Sequence, residues 1–198
     1  FTLCSYMIEG GKSREFKNTK LMMYEAPDLW EQLMGKVCTM LVDYLKMQVS
    51  AGAQALQLFD SWVGCLGPND YEKHILPYSR RVFEGLKDTG VPLINFSTGT
   101  STMLDLVQKA GGDVLSFDWR IEMDTARALL GKDQPVQGNL DPVTLFGPLP
   151  LIRERVHDIL KRSGGKGHIF NLGHGILQHT PVEHVKAVVD MVHEYKHE

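Results

Sequence analysis

A set of polar side chains stands where short apolar runs end: Tyr6, Asp60, Ser61, Ser97, Thr98, Asp118, Arg120, Asn139, Asp141 and His174. His174 is the most suggestive. It lies between Gly173 and Gly175, after the β-compatible run from Gly167 to Leu172. Histidine changes charge near neutral pH and can pass a proton in either direction. Flanking glycines tolerate unusual backbone angles and let a ligand come close, although a loop histidine is also commonly structural. Arg120 can grip a carboxylate bidentately, or pair with Asp118 or Glu122. Asp141, before Pro142, reads as a helix cap, and Asp118 and Asn139 read as partners that fix loops. Ser61, His174 and an aspartate would suggest a hydrolytic triad, but Ser61 lacks the G-x-S-x-G elbow. Gly10-Gly11-Lys12-Ser13 resembles the end of a phosphate loop, but Ser5 and Tyr6 stand where its first glycine belongs.

The elements that must position these groups alternate. Pro27 opens a helix to about Ser50, with apolar residues at Leu29, Leu33, Val37, Met40, Leu41, Tyr44, Leu45 and Val49. Strands are expected at 55–60, 91–96, 113–118, 134–139 and 167–172. Each is followed by a helix: 69–87 (kinked at Pro77), 103–110, 124–130, 151–162 and 182–195. Residues 1–8 read as the tail of a strand before a loop at 9–13. Thr180-Pro181-Val182-Glu183 reads as a capping box. The last helix should bury Val182, Val185, Val188, Val189 and Val192. Strand–helix alternation argues for a parallel sheet with right-handed crossovers, whose strand ends gather on one face. No G-x-G-x-x-G follows the first strand, which disfavours a dinucleotide-binding sheet. Five units fit part of a (β/α)8 TIM barrel, which needs eight and about 250 residues. The start at Phe1 fits a fragment.

Composition narrows the classes. The 198 residues, 43% hydrophobic and 23% charged, suit one ordinary globular domain, or most of one. A net charge of -3 offers no footprint for nucleic acid. Cys4, Cys38 and Cys65 are odd in number and far apart, as free thiols in a reducing compartment would be. They show no zinc-ligand spacing. No apolar run approaches a membrane span, and no signal peptide is visible at the start.

Phe170-Asn171-Leu172-Gly173-His174-Gly175-Ile176-Leu177 with Thr180-Pro181 resembles the C-terminal signature of the uroporphyrinogen decarboxylase family. Four more segments resemble it in the same order. They are Phe1-Thr2-Leu3 with Tyr6-Met7-Ile8-Glu9-Gly10-Gly11, Phe59-Asp60-Ser61-Trp62-Val63-Gly64, Phe117-Asp118-Trp119-Arg120, and Gln137-Gly138-Asn139-Leu140-Asp141-Pro142. The resemblance covers essentially the whole chain. It implies a cofactor-free (β/α)8 barrel, a cytoplasmic homodimer with no nucleic-acid or membrane partner. The implied reaction removes carbon dioxide from the four acetate arms of uroporphyrinogen III, giving coproporphyrinogen III for haem. The family's substrate-contacting tyrosine matches Tyr6, its serine after Phe-Asp matches Ser61, and its Gly-His-Gly histidine matches His174. The resemblance thus implies that Tyr6, Ser61 and His174 bind substrate, with His174 and Tyr6 as catalytic groups. His174 would hold an arm and donate a proton.

The departures are specific. The family's arginine-rich opening segment and its pyrrole-gathering aspartate match nothing in these residues. Without the first strands a barrel cannot close, so the chain alone is expected to be inactive and its complete parent to decarboxylate. Gln178-His179 stands where the family has proline and an acidic residue. The rival readings are an inert truncated product and a zinc- and cobalamin-linked methyltransferase of the same superfamily. The latter would need a His-x-Cys site, and Gly175-Ile176 follows His174 instead.

Overall fold

The computed structural model describes residues 1–11 and 13–196. The phosphate-loop question at Lys12 therefore lies outside the described residues. The described chain divides into two compact units, residues 1–113 and those from Val114 on.

The first unit opens with helices α1 (Thr2–Glu9), α2 (Lys17–Glu25) and α3 (Pro27–Ser50). The expected strand tail at the start is in fact α1. The Asp60 carboxylate accepts from the Phe1 nitrogen and the Thr2 backbone nitrogen, both at 2.9 Å, the Thr2 bond satisfying an N–H that a helix start leaves unpaired. Gly10, in the left-handed region at φ 65°, closes it. The helix α2 has no sequence counterpart above. It starts where Glu9 accepts from the Thr19 backbone nitrogen (2.9 Å) and hydroxyl (2.8 Å).

Helix α3 has the expected bounds but a different buried stripe. Trp30, Met34, Val37, Cys38 and Leu45 face inward, whereas Leu29, Met40 and Tyr44 are exposed. Apolar residues occur on both stripes, so helical spacing alone permits either. Packing on the partner helix selects one, with the Trp30 indole donating to the His74 carbonyl at 3.1 Å. Strand β1 (Leu56–Asp60) follows, then a 3-10 turn (Val63–Cys65), α4 (Pro68–His74) and α5 (Leu76–Leu86). Pro77 ends the expected long helix rather than kinking it. Lacking an N–H and crowding the preceding turn, it sits in the first turn of α5, and the break falls at Ile75. Strand β2 (Leu93–Ser97) pairs in parallel with β1, setting Asp60 opposite Ser97, and α6 (Leu104–Ala110) completes the unit. Its core joins Cys38, Leu45, Leu56, Val82, Phe83, Leu86 and Leu93.

The second unit holds β3 (Val114–Ser116), α7 (Met123–Leu130), β4 (Val136–Leu140), α8 (Leu149–Ser163), β5 (His168–Leu172) and α9 (Val182–Glu194). The ladders β3–β4 and β4–β5 are parallel, so the strand order follows the chain. Helices α8 and α9 cover β4 and β5 through Leu140, Ile152, Val156, Leu160, Val188 and Met191. Two expectations about α9 fail. Val182 and Val189 are exposed, and Met191 takes a core place. The Thr180 hydroxyl donates to the Leu177 carbonyl at 2.7 Å instead of capping the helix. Glu183 reaches forward to Lys186 at 3.1 Å rather than back, so no capping box forms. His179, at φ 68°, sits in that same turn.

Candidate functional site

Because every ladder is parallel, the carboxyl ends of neighbouring strands lie side by side within each unit. In the first unit, that end of β1 is tied down on three sides. Asp60 Oδ1 accepts from the Thr2 hydroxyl at 2.6 Å, besides the two backbone donors at the start of α1. The same Thr2 oxygen accepts from the Trp62 backbone nitrogen at 3.1 Å. The Ser61 carbonyl accepts from the Thr98 hydroxyl. Ser97 and Thr100 share a buried hydroxyl contact of 2.8 Å. Gly64 packs on the β2 loop so closely that a Cβ there would lie 2.3 Å from the Thr98 carbonyl oxygen. The backbone around Ser61 is thus anchored before, at and after that residue.

Tyr6 follows Thr2 by one helical turn and so shares its face of α1. The residue is 52% exposed and its ring lies 4.1 Å, centroid to centroid, from the Trp62 indole. Phe16 flanks Trp62 at 5.3 Å and Phe1 at 5.7 Å. The structure therefore stacks Tyr6 on Trp62, the residue after Ser61, whose own backbone is held by Thr98. A cavity of about 370 Å³ opens beside Asp60 between α1, α3, β1 and α5. It is lined by groups such as Cys4, Met34, Val37 and Leu41, and no lysine or arginine among the described residues contributes. An unscreened carboxylate would be poorly accommodated there.

His174 belongs to the second unit. It is exposed, two residues past β5. The expected reason for its flanking glycines needs correction. Neither has a positive φ. Gly173 is required by space, because a Cβ would meet the Asp118 Cα, the Trp119 nitrogen and the Trp119 ring, each at 2.9 Å. Nothing lies within 4 Å of a Cβ on Gly175. Gly173 also donates its N–H to the Leu140 carbonyl at 2.7 Å, fixing the turn that carries His174.

The reading of Asp118 and Asn139 as loop-fixing partners holds. Asn139 is buried and donates to the carbonyls of Asp118 (3.2 Å) and Ile121 (2.7 Å). The Asp118 carboxylate, 2% exposed, accepts from the Arg120 guanidinium and, at 3.1 Å, from its backbone nitrogen. Arg120 also lies 4.7 Å over the Trp119 ring. One guanidinium nitrogen is thus committed to Asp118. Asp141 caps as expected, accepting from the Val143 nitrogen at 2.9 Å.

All three cysteines are free. Burial pushes the Cys4 and Cys65 thiols up to about 11, and Cys38 rises for the same reason. None offers a thiolate at neutral pH. Among the described residues no group of three His, Cys, Asp or Glu is placed to hold a metal ion. Sequence reasoning placed Thr98 at a strand end but missed Thr2 and Trp62 as supports. Thr2 and Tyr6 one turn apart, with an aspartate at a strand end, was the only available signal.

The uroporphyrinogen decarboxylase (URO-D) family model matches residues 1–195. The uroporphyrinogen decarboxylase of Carboxydothermus hydrogenoformans is 54% identical over 195 residues, covering 98% of this chain and 56% of the relative. That of Solibacter usitatus is 53% identical over 197 residues, covering 99% and 57%. That of Thermus thermophilus is 50% identical over 195 residues, covering 98% and 57%. The chain thus spans just over half the length of these relatives, matching their C-terminal half. Among solved structures, a methyltransferase from Methanosarcina mazei superposes with a TM-score of 0.80 over 90% of this chain and 53% of the other. At 20% identity that likeness bears on the fold alone, and it agrees with an α/β architecture of TIM-barrel type. The five strand–helix units, the anchored strand ends and these matches together establish that the chain belongs to the uroporphyrinogen decarboxylase family.

Proposed function

We propose that this chain carries part of the active site of a uroporphyrinogen decarboxylase, within one incomplete barrel domain covering residues 1–198. Family membership over residues 1–195 supports this reading most. In the proposed reaction a pyrrole ring, protonated, accepts the electron pair left as an acetate arm's C–C bond breaks. Carbon dioxide departs, and the pair returns to take a proton on carbon as the ring gives up its own, leaving a methyl group. One proton is consumed for each arm, and the balance requires no redox partner.

Tyr6 and Ser61 serve as hydrogen-bonding groups for the substrate, Tyr6 also steadying the reacting ring. A half-exposed tyrosine on an aromatic stack suits that task, because little motion is lost on binding. His174 holds a carboxylate arm and donates the proton. The working form is a cytoplasmic homodimer that needs no cofactor and contacts neither nucleic acid nor membrane. No helix among the described residues is long and apolar enough to cross a membrane.

The test is anaerobic turnover of uroporphyrinogen III by the native polypeptide, with product oxidised and separated by its number of carboxyl groups. Coproporphyrinogen III is the expected end product. His174→Asn should lower turnover about 10²-fold or more if it passes a proton. Tyr6→Phe and Ser61→Ala should each cost about tenfold, the worth of one hydrogen bond in place. Stable wild-type protein that releases no carbon dioxide would refute the assignment. The isolated 198 residues should form no product.

A further inference from the structure

We infer that Asp60 is a positioning residue that sets the presentation of Tyr6 and Ser61 together. The inference rests on the proposed roles of those two residues and adds a third that nothing assigns. Asp60 ends β1, immediately before Ser61, and its carboxylate is mostly buried. It takes no part in pairing with a lysine or arginine side chain in the interactions described. Its oxygens instead receive donors from the start of α1: the Phe1 nitrogen at Oδ2, and the Thr2 nitrogen and hydroxyl at Oδ1. Negative charge at a helix start is favoured by the helix dipole. A carboxylate with that many donors is held in one rotamer.

Two consequences reach the site residues. Through the shared covalent backbone, fixing Asp60 fixes Ser61. Through Thr2, it fixes α1 and also the Trp62 nitrogen, which donates to the Thr2 hydroxyl at 3.1 Å. The Trp62 indole in turn forms the wall on which Tyr6 stacks. One side chain therefore governs where both hydroxyls stand. Because three of the four hydrogen bonds are donated by Phe1 and Thr2, the cap and first residue of α1, releasing Asp60 frees the helix that carries Tyr6 rather than merely loosening the strand.

Asp60→Asn is the discriminating substitution. Its amide oxygen can still accept at one position, but its NH2 would face either the Phe1 or the Thr2 donor. Thr2→Val is a second, milder variant that keeps Asp60 and removes only the bridging hydroxyl. Both are made in the native polypeptide, alone and combined with Tyr6→Phe. The readouts are kcat and KM for uroporphyrinogen, thermal midpoint, and near-UV circular dichroism from the Tyr6–Trp62 stack. Asp60→Asn should lower kcat/KM about tenfold or more and diminish the aromatic signal, with Thr2→Val intermediate. The Tyr6→Phe/Asp60→Asn pair should fall little below Asp60→Asn, since the Tyr6 hydroxyl is already misplaced. A lowered thermal midpoint with wild-type kinetics and aromatic signal would overturn the positioning role while leaving the Tyr6 assignment intact. Fully multiplicative losses in the pair would overturn it too. A Tyr6→Phe variant with unchanged kinetics would remove the site reading and this inference with it.

Discussion

The two glycines flanking His174 should respond oppositely to alanine. At Gly173 a new methyl would sit 2.9 Å from the Asp118 Cα, the Trp119 nitrogen and the Trp119 ring. Comfortable carbon contacts begin near 3.5 Å, so the β5 turn or the β3 loop must retreat by about 0.6 Å. Two of the three obstacles are backbone atoms and cannot rotate away. Overpacking of this kind costs about 1–3 kcal/mol. Alanine's lower entropy in the unfolded chain returns roughly 0.4–1 kcal/mol. The net loss is about 1–2 kcal/mol, or roughly 2–8 °C in thermal midpoint for a domain of this size. At Gly175 the methyl meets nothing within 4 Å and the backbone φ is not positive, so only the unfolded-state gain remains. Gly175→Ala should therefore hold or slightly raise the midpoint. Thermal unfolding of both variants, followed by circular dichroism, measures the contrast. Equal losses, or a larger loss at Gly175, would refute the steric account and restore a conformational one.

Other outcomes follow from the same geometry. Asn139→Leu should cost about 2–3 kcal/mol in urea unfolding, because the Asp118 and Ile121 carbonyls lose their donor in a buried place. Arg120→Ala should destabilise more than an ordinary surface truncation, since it removes the guanidinium paired with the buried Asp118 carboxylate. Iodoacetamide should label native Cys4 and Cys65 slowly at pH 8, where a thiol at about 11 is roughly 0.1% ionised, and quickly after unfolding. These raised thiols also carry a sign. Their stabilising contribution is complete below the unfolded value of 9.0 and is lost as pH rises from there toward about 11, so stability should decline across that alkaline window. His74, lowered chiefly by burial and then by Lys73, works at the other end. The unfolded chain takes up its proton first as pH falls below 6.5, so the unfolding free energy should drop there, and His74→Gln should blunt the drop.

Much of this molecule is local in origin and was readable as such. Pro27 starts α3 and Ala51 follows its end, because a proline suits a first turn and twenty-four residues of helical apolar spacing need a partner. Five β-compatible runs became β1 to β5, and Asp141 became the cap that its neighbour Pro142 suggested. Tyr6, Ser61 and His174 were singled out through family resemblance, and His174 also by its place after a strand. What failed depended on distant partners. The opening residues form α1 with Asp60, nearly sixty residues later, accepting the Thr2 N–H and hydroxyl at its start. The buried stripe of α3 was ambiguous until a facing helix chose Trp30 over Leu29. Gly173 is glycine because the chain around Asp118 and Trp119 passes against it, a constraint carried by no residue near it in sequence. Periodicity, caps and turn residues are encoded over a few positions, so sequence alone determines the elements and their order. Which atoms then touch is a property of the packed chain, and only the tertiary structure decided it.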